Sequence, residues 1–270
     1  MFGNMNLQNK KINFIKFVLI ILKNLNYILN NYKFIIQYDG TDYAGWQIQK
    51  NAITVQQKIT DAIEILLKEK VNLVGSGRTD AGVHALGQIA NFRTENEIDI
   101  YKFKHSLNAI LPTDISIIEM AKAAPEFHSR FDAKKRSYFY LFSKYKSPFY
   151  LRYSYFYPTD INCGMLNELS KTFLGKKDFT SFARKSTEPE NKTCNIYEAH
   201  WKETNGLVIF KIEADRFLHG MVRTITGTLL RAMKSNLGNN FLENIFNSMD
   251  RKAAGEAVPA KGLILFKVKY

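Results

Sequence analysis

The chain has 270 residues, 46% hydrophobic and 23% charged, which suits one large or two small globular domains. Those shares exclude a disordered or fibrous chain. Thirty-eight Lys and Arg oppose 25 acids, a formal charge of +13, which favours a polyanionic partner, either nucleic acid or an anionic membrane surface.

Residues 1–31 carry four lysines, eight asparagines, and no acid or arginine. Their charge-free core, 17–22, is far shorter than the roughly 20 apolar residues of a membrane-spanning helix. No alanine precedes Ala44, so the small-residue cleavage site of a secretory signal is missing. Serine and arginine are also absent, unlike in a mitochondrial presequence. We read 1–31 as a basic, Asn/Lys-rich extension of unknown function; organellar targeting by it stays open, and membrane attachment is not expected. The remaining chain keeps an excess of nine positive charges.

Regular patterning starts at Tyr32. Residues 32–38 are β-prone and end in the turn signal Asp39-Gly40. Thr54-Val55-Gln56-Gln57 reads as a capping box. It opens a helix whose apolar face holds Val55, Ile59, Ala62, Ile63, Leu66 and Leu67. A strand at 71–74 runs into Gly75-Ser76-Gly77; another spans 88–92, and an amphipathic helix 101–111. Strands are expected at 115–120 and 137–142, then a helix over 165–174. Cys163 and Cys194 are the only cysteines, which excludes a disulfide scaffold or four-cysteine zinc site and points to a reducing, cytoplasmic setting. Strands at 196–201 and 207–214, a helix over 217–233 and a strand at 263–268 complete the chain.

Strand pairs mixed with helices indicate an α+β fold. Each half has the content of a ferredoxin-like (RRM-like) unit. Two such units would form one extended, mainly antiparallel sheet with helices on one face. The division falls near 143–160, where Ser147-Pro148 and Pro158 interrupt the pattern. We take it as 32–145 and 146–270.

The densest stretch is Gly75-Ser76-Gly77-Arg78-Thr79-Asp80-Ala81-Gly82-Val83-His84-Ala85. It is not a dinucleotide fingerprint, because Asp80 stands where the third glycine belongs, and it lacks the Gly-Lys-Ser/Thr ending of a phosphate loop. Glycines around Arg-Thr-Asp instead suggest a loop that presents one carboxylate where backbone can approach a ligand.

This string resembles the signature of the tRNA pseudouridine synthase A family, and five further blocks resemble that family in its order. They are Tyr38-Asp39-Gly40-Thr41 with Gly45-Trp46-Gln47; Phe127-His128-Ser129-Arg130-Phe131 followed by Arg136 and Tyr138; Asp178-Phe179-Thr180-Ser181-Phe182; Phe217-Leu218-His219-Gly220-Met221-Val222-Arg223; and Pro259-Ala260-Lys261-Gly262-Leu263. The resemblance covers about 32–270 and leaves out 1–31. It implies the pseudouridine synthase fold and the isomerisation of uridine to pseudouridine in the anticodon stem-loop of tRNA, at nucleotides 38–40. It also implies a homodimer that forms the tRNA cleft. The reaction is redox-neutral, so neither a metal nor an organic cofactor is required.

The resemblance assigns the reactive carboxylate to Asp80, and attack on the sugar, addition to the ring and a glycal route all stay open. Burial disfavours an ionised carboxylate and a nearby cation restores it; Arg223 is the expected partner, since guanidinium keeps its charge when desolvated. The resemblance makes Tyr138 the ring that stacks on the flipped uracil, while Tyr140 and Phe142, on the same strand face, read as core. Arg78 is expected to assist base flipping. His128, Arg130 and Phe131 combine charge and ring for contact with RNA. His84 reads as a support for the loop. Arg184, Lys185 and Lys192 form a basic loop that suits either tRNA or solvent. Two rivals remain: a catalytically inactive tRNA-binding protein of the same fold, and a retaining glycosidase. The latter needs a second carboxylate about 5 Å from the first, which Asp39 or Asp42 would have to supply.

Overall fold

The computed structural model describes residues 29–184 and 191–270. Most of the basic extension, and Lys185 of the basic loop, lie outside the described residues. Strand β1 (Asn30–Tyr38) buries Tyr32, Phe34, Ile36 and Tyr38 on one face, the period-two pattern of a half-buried strand. It starts inside the stretch read as extension. Asn31 is buried there, donating from Nδ2 to the carbonyls of Ala124 (2.9 Å) and Phe127 (2.8 Å).

Helix α1 (Val55–Leu67) is capped by the Thr54 hydroxyl, which accepts from the Gln57 N–H. The Gln57 side chain turns to Asp61 instead of reaching back, so only half of a capping box forms. Strand β2 shrinks to Val74–Gly75, because the chain turns at once into the glycine loop. There follow β3 (His84–Thr94), α2 (Ile100–Ile110), β4 (Ile115–Ala123) and β5 (Lys135–Ser143). After a short β6 (Tyr155–Phe156), α3 (Cys163–Ser170) ends in a tightened turn at Lys171–Phe173, earlier than its apolar pattern suggests. The rest comprises β7 (Gly175–Asp178), β8 (Thr193–Thr204), β9 (Leu207–Ala214), α4 (Met221–Lys234), α5 (Asn239–Ser248) and β10 (Leu263–Lys269).

Among the described residues the strands form one sheet in the order β4-β1-β3-β10-β5-β9-β8-β7, with β2 added to β3 and β6 to β5. Neighbours along that order are antiparallel except β10 and β3, which run parallel. The fold is α+β with a mixed, mainly antiparallel open sheet, as expected. The last strand therefore lies between β3 and β5, two strands that both precede residue 145. Ile264 pairs with His84 at the start of β3, which brings the carboxy-terminal block beside the loop that carries Asp80. Tyr140 and Phe142 are fully buried, and Trp201 stacks on both Phe142 (5.7 Å) and Phe210 (4.5 Å).

Candidate active site

Asp80 sits on a loop held from several directions. Ser76 is buried, its N–H donating to the Ile89 carbonyl and its hydroxyl to Gln88 Oε1; Gln88 in turn donates to the Gly77 carbonyl. The amino-terminal block cradles the other end. Trp46 N–H donates to the Thr79 carbonyl (3.1 Å), and the Thr79 and Tyr38 hydroxyls are 2.8 Å apart. Gly45 has φ +94°, and a Cβ there would stand 2.5 Å from the Thr79 carbonyl oxygen. That block is thus the bed on which the Asp80 loop lies.

His84 ties the loop's far end to two distant segments. Its Nε2 lies 3.0 Å from the Arg152 carbonyl and 3.2 Å from the Lys261 carbonyl, while Nδ1 accepts from the Gly40 N–H. Burial pushes this imidazole below its usual range, against the pull of Asp39 at 3.1 Å. Asp39 is engaged there: it accepts from Thr41 and Tyr153 and pairs with Arg152. Although burial works against ionisation, the Thr41 bonds hold its carboxyl below the usual range. Asp39 supports the loop and is committed to these partners, which counts against the glycosidase rival.

The carboxylate of Asp80 meets helix α4. Arg223 Nη1 stands 3.2 Å from Oδ2, the expected pairing. Arg223 is itself fixed at both ends by Val258: its Nε donates to the Val258 carbonyl (2.7 Å), and its own carbonyl accepts from the Val258 N–H. His219 Nε2 stands 3.2 Å from the other oxygen, Oδ1, a contact that sequence reading did not anticipate. The helix starts at Met221 and not at Phe217, because Gly220 adopts φ +71° and breaks the helical path. His219 therefore lies just before the helix, four residues from Arg223.

Tyr138, on β5, is buried and packs edge-on against Phe217, with ring centres 5.3 Å apart. Burial, and then the charge of Asp80, push its phenol well above the ordinary tyrosine range. Arg78 is exposed on the loop, its Nε donating to Gln47 Oε1 (3.1 Å). His128, Arg130 and Phe131 form a partly exposed turn of their own. His128 Nδ1 accepts from the Arg130 and Phe131 N–H groups; the two rings lie 4.3 Å apart, and the Arg130 guanidinium lies over Phe131. Arg136 joins this turn to the Asp80 loop by donating to the carbonyls of Arg130 and Ser76. Its presence in the middle block was legible, but not this bridging use.

A family model described as tRNA pseudouridine synthase matches residues 34–132 and 169–270, which include Asp80, Arg78, His219 and Arg223. The chain belongs to the tRNA pseudouridine synthase family. Among its relatives, "tRNA pseudouridine synthase A 1" of Protochlamydia amoebophila is 42% identical over 245 residues, covering 88% of this chain and 96% of the relative. The proteins named "tRNA pseudouridine synthase A" from Clostridium acetobutylicum and Parabacteroides distasonis are each 40% identical, covering 90% of this chain and 100% and 96% of their own lengths. A solved Cbf5-Nop10-Gar1 complex aligns with 74% of this chain and 53% of its own at 11% identity; its TM-score of 0.35 is too low to carry an argument. Membership makes the chain an isomerase that forms pseudouridine in tRNA.

Proposed function

We propose that the chain acts on uridines in the anticodon stem-loop of tRNA, at nucleotides 38–40, with Asp80 as the nucleophile or base and a flipped-out uridine as its target. The observation that carries this reading is the Asp80–Arg223 pair: a carboxylate 21% exposed, kept next to a cation that Val258 grips at both ends. The N1–C1′ bond of the uridine breaks, C5 bonds to C1′, the proton on C5 leaves, and N1 gains a proton. No electrons are gained or lost overall. Tyr138 offers a buried, protonated ring beside the carboxylate for the extruded base. Arg78, exposed two residues before Asp80, fits the role of occupying the space that the base vacates. His128, Arg130 and Phe131 contact the RNA further out. In this reading the working unit is a cytoplasmic homodimer, checked by sedimentation equilibrium.

The test is release of tritium from tRNA labelled at uracil C5. The wild-type chain should release it from uridines 38–40, and Asp80→Asn should release none while binding tRNA within a few-fold of wild type. Tritium lost from other positions would move the substrate site. Turnover by Asp80→Asn would remove Asp80 from the chemistry, and binding without release by the wild type would mark an inactive tRNA-binding protein.

A further inference from the structure

Asp80 has two carboxylate oxygens, and the Arg223 pairing accounts for only one of them. The other, Oδ1, lies 3.2 Å from His219 Nε2. Backbone geometry places that ring. Gly220 at φ +71° turns the chain before α4, the Met221 N–H closes the turn on the Leu218 carbonyl, and the Arg184 N–H donates to the His219 carbonyl. The His219 side chain is 43% exposed against 23% for Arg223. The imidazole thus meets Asp80 from the solvent side, and the guanidinium from the protein side.

The asymmetry has a chemical consequence. A carboxylate held by one oxygen still rotates about its last bond; one flanked at both oxygens keeps a single orientation. When Asp80 reacts, one oxygen forms or accepts the new bond and the other keeps the double-bond character. Arg223 is anchored twice to Val258 and stays with Oδ2, so Oδ1 is the oxygen free to react. We propose that His219 is a positioning residue for the isomerisation, its Nε2–H orienting Oδ1 of Asp80 toward the nucleotide while Arg223 keeps Oδ2. Contacts of this kind in ligand-free sites tighten once substrate binds. The proposal rests on the reading of Asp80 as nucleophile or base.

Two variants of the full chain test it, His219→Phe and His219→Gln. The ring is half exposed, so neither should disturb the core; thermal unfolding run alongside should match wild type. Single-turnover tritium release, with enzyme in excess over C5-tritiated tRNA at a series of enzyme concentrations, separates chemistry (the plateau rate) from binding (the half-saturating concentration). His219→Phe should lower the plateau roughly ten-fold, the size of a lost hydrogen bond to a charged group, with half-saturation unchanged within about two-fold. His219→Gln, whose Nε2 reaches the same place, should recover to within about three-fold of wild type. A wild-type plateau in His219→Phe overturns the proposal. So does a plateau that stays while half-saturation rises, which would make His219 an RNA contact. His219→Gln as slow as His219→Phe also overturns it, because a donor alone should suffice. Those three outcomes leave the reading of Asp80 standing. A wild type that releases no tritium, or an Asp80→Asn variant that keeps the wild-type rate, overturns that reading and the role of His219 with it.

Discussion

Arg223 differs from an ordinary surface arginine in having no freedom left to lose. Two bonds to Val258 fix its stem and backbone, and its remaining reach ends on Asp80. Arg223→Leu should strand the carboxylate and slow single-turnover tritium release by roughly 100-fold or more, the kinetic equivalent of about 3 kcal/mol for a broken, partly buried pair. Arg223→Lys keeps the charge without the fork or the Nε bond and should fall between Leu and wild type. A fully active Arg223→Leu would mean that another cation serves Asp80. Tyr138 calls for a different comparison, because its ring and hydroxyl can be removed separately. Tyr138→Phe keeps the ring against Phe217, and Tyr138→Leu loses both. If the ring positions the base, Leu should be the slower variant by the worth of one base–aromatic stack, about 1–3 kcal/mol. Equal rates for the two would point to the hydroxyl. Asp80, Arg223 and Tyr138 were legible because each lies in a distinctive string. The contact of His219 was not, because it depends on the positive φ of the next residue and on a meeting across 139 positions.

At the scale of elements, α4 is the part that sets the site. It is buried on nearly every side, and its buried Thr226 and Thr228 return their hydroxyls to the carbonyls of Val222 and Thr224. Gly227 lets the 254–258 segment lie against it: a Cβ there would stand 1.8 Å from the Glu256 carbonyl oxygen, which is backbone and cannot swing aside. Gly227→Ala should destabilise the protein by at least about 2 kcal/mol in urea melts, and should also slow tritium release in the fraction still folded, because Val258 would carry Arg223 with it. Retained stability and rate would show that the segment shifts freely. The strand junction offers a pH test. Buried Glu213 on β9 accepts from Ser137 on β5 and from Lys269 on β10. Burial opposes its ionisation, yet those bonds and the lysine charges bring its carboxyl down to about 2 from 4.5. A depressed carboxylate contributes stability above its unfolded value and loses it as pH falls through the folded one. The gap in unfolding midpoint between wild type and Glu213→Gln should therefore be full at pH 7 and close between about pH 4.5 and 2. A gap independent of pH would refute the linkage. Strand alternation made β1, β5 and β9 readable. Helix α5 is absent from the sequence expectations although Phe241, Leu242, Ile245 and Phe246 stand at helical spacing, and the order of pairing is not legible because β10 joins strands far from it in sequence.

For the whole molecule, the boundary that matters at the amino terminus is Asn30 and not Tyr32. Deleting residues 2–28 should leave melting and turnover near wild type, whereas deleting 2–31 removes Asn31 and its bonds to Ala124 and Phe127, and should lower the melting midpoint measurably. Identical midpoints would make Asn31 dispensable. The charge of the remaining chain bears on how it holds RNA. An excess of nine positive charges over residues 32–270 implies several phosphate contacts, so log affinity for tRNA should fall with log salt at a slope of roughly −0.7 to −0.9 per phosphate. The exposed turn allows that electrostatic part to be separated from stacking, because Arg130 and Phe131 are neighbours, with the guanidinium over a ring 75% exposed. Arg130→Ala should weaken binding and flatten the slope by about one contact, since a released counterion is what the slope counts. Phe131→Ala should weaken binding by about 1–3 kcal/mol with the slope unchanged, since a ring neutralises no phosphate. Filter retention of labelled tRNA from low to moderate salt measures both. If the two variants change the slope equally, the turn does not divide its contacts in this way. If neither changes affinity, the turn lies outside the RNA footprint and the basic excess acts elsewhere on the surface.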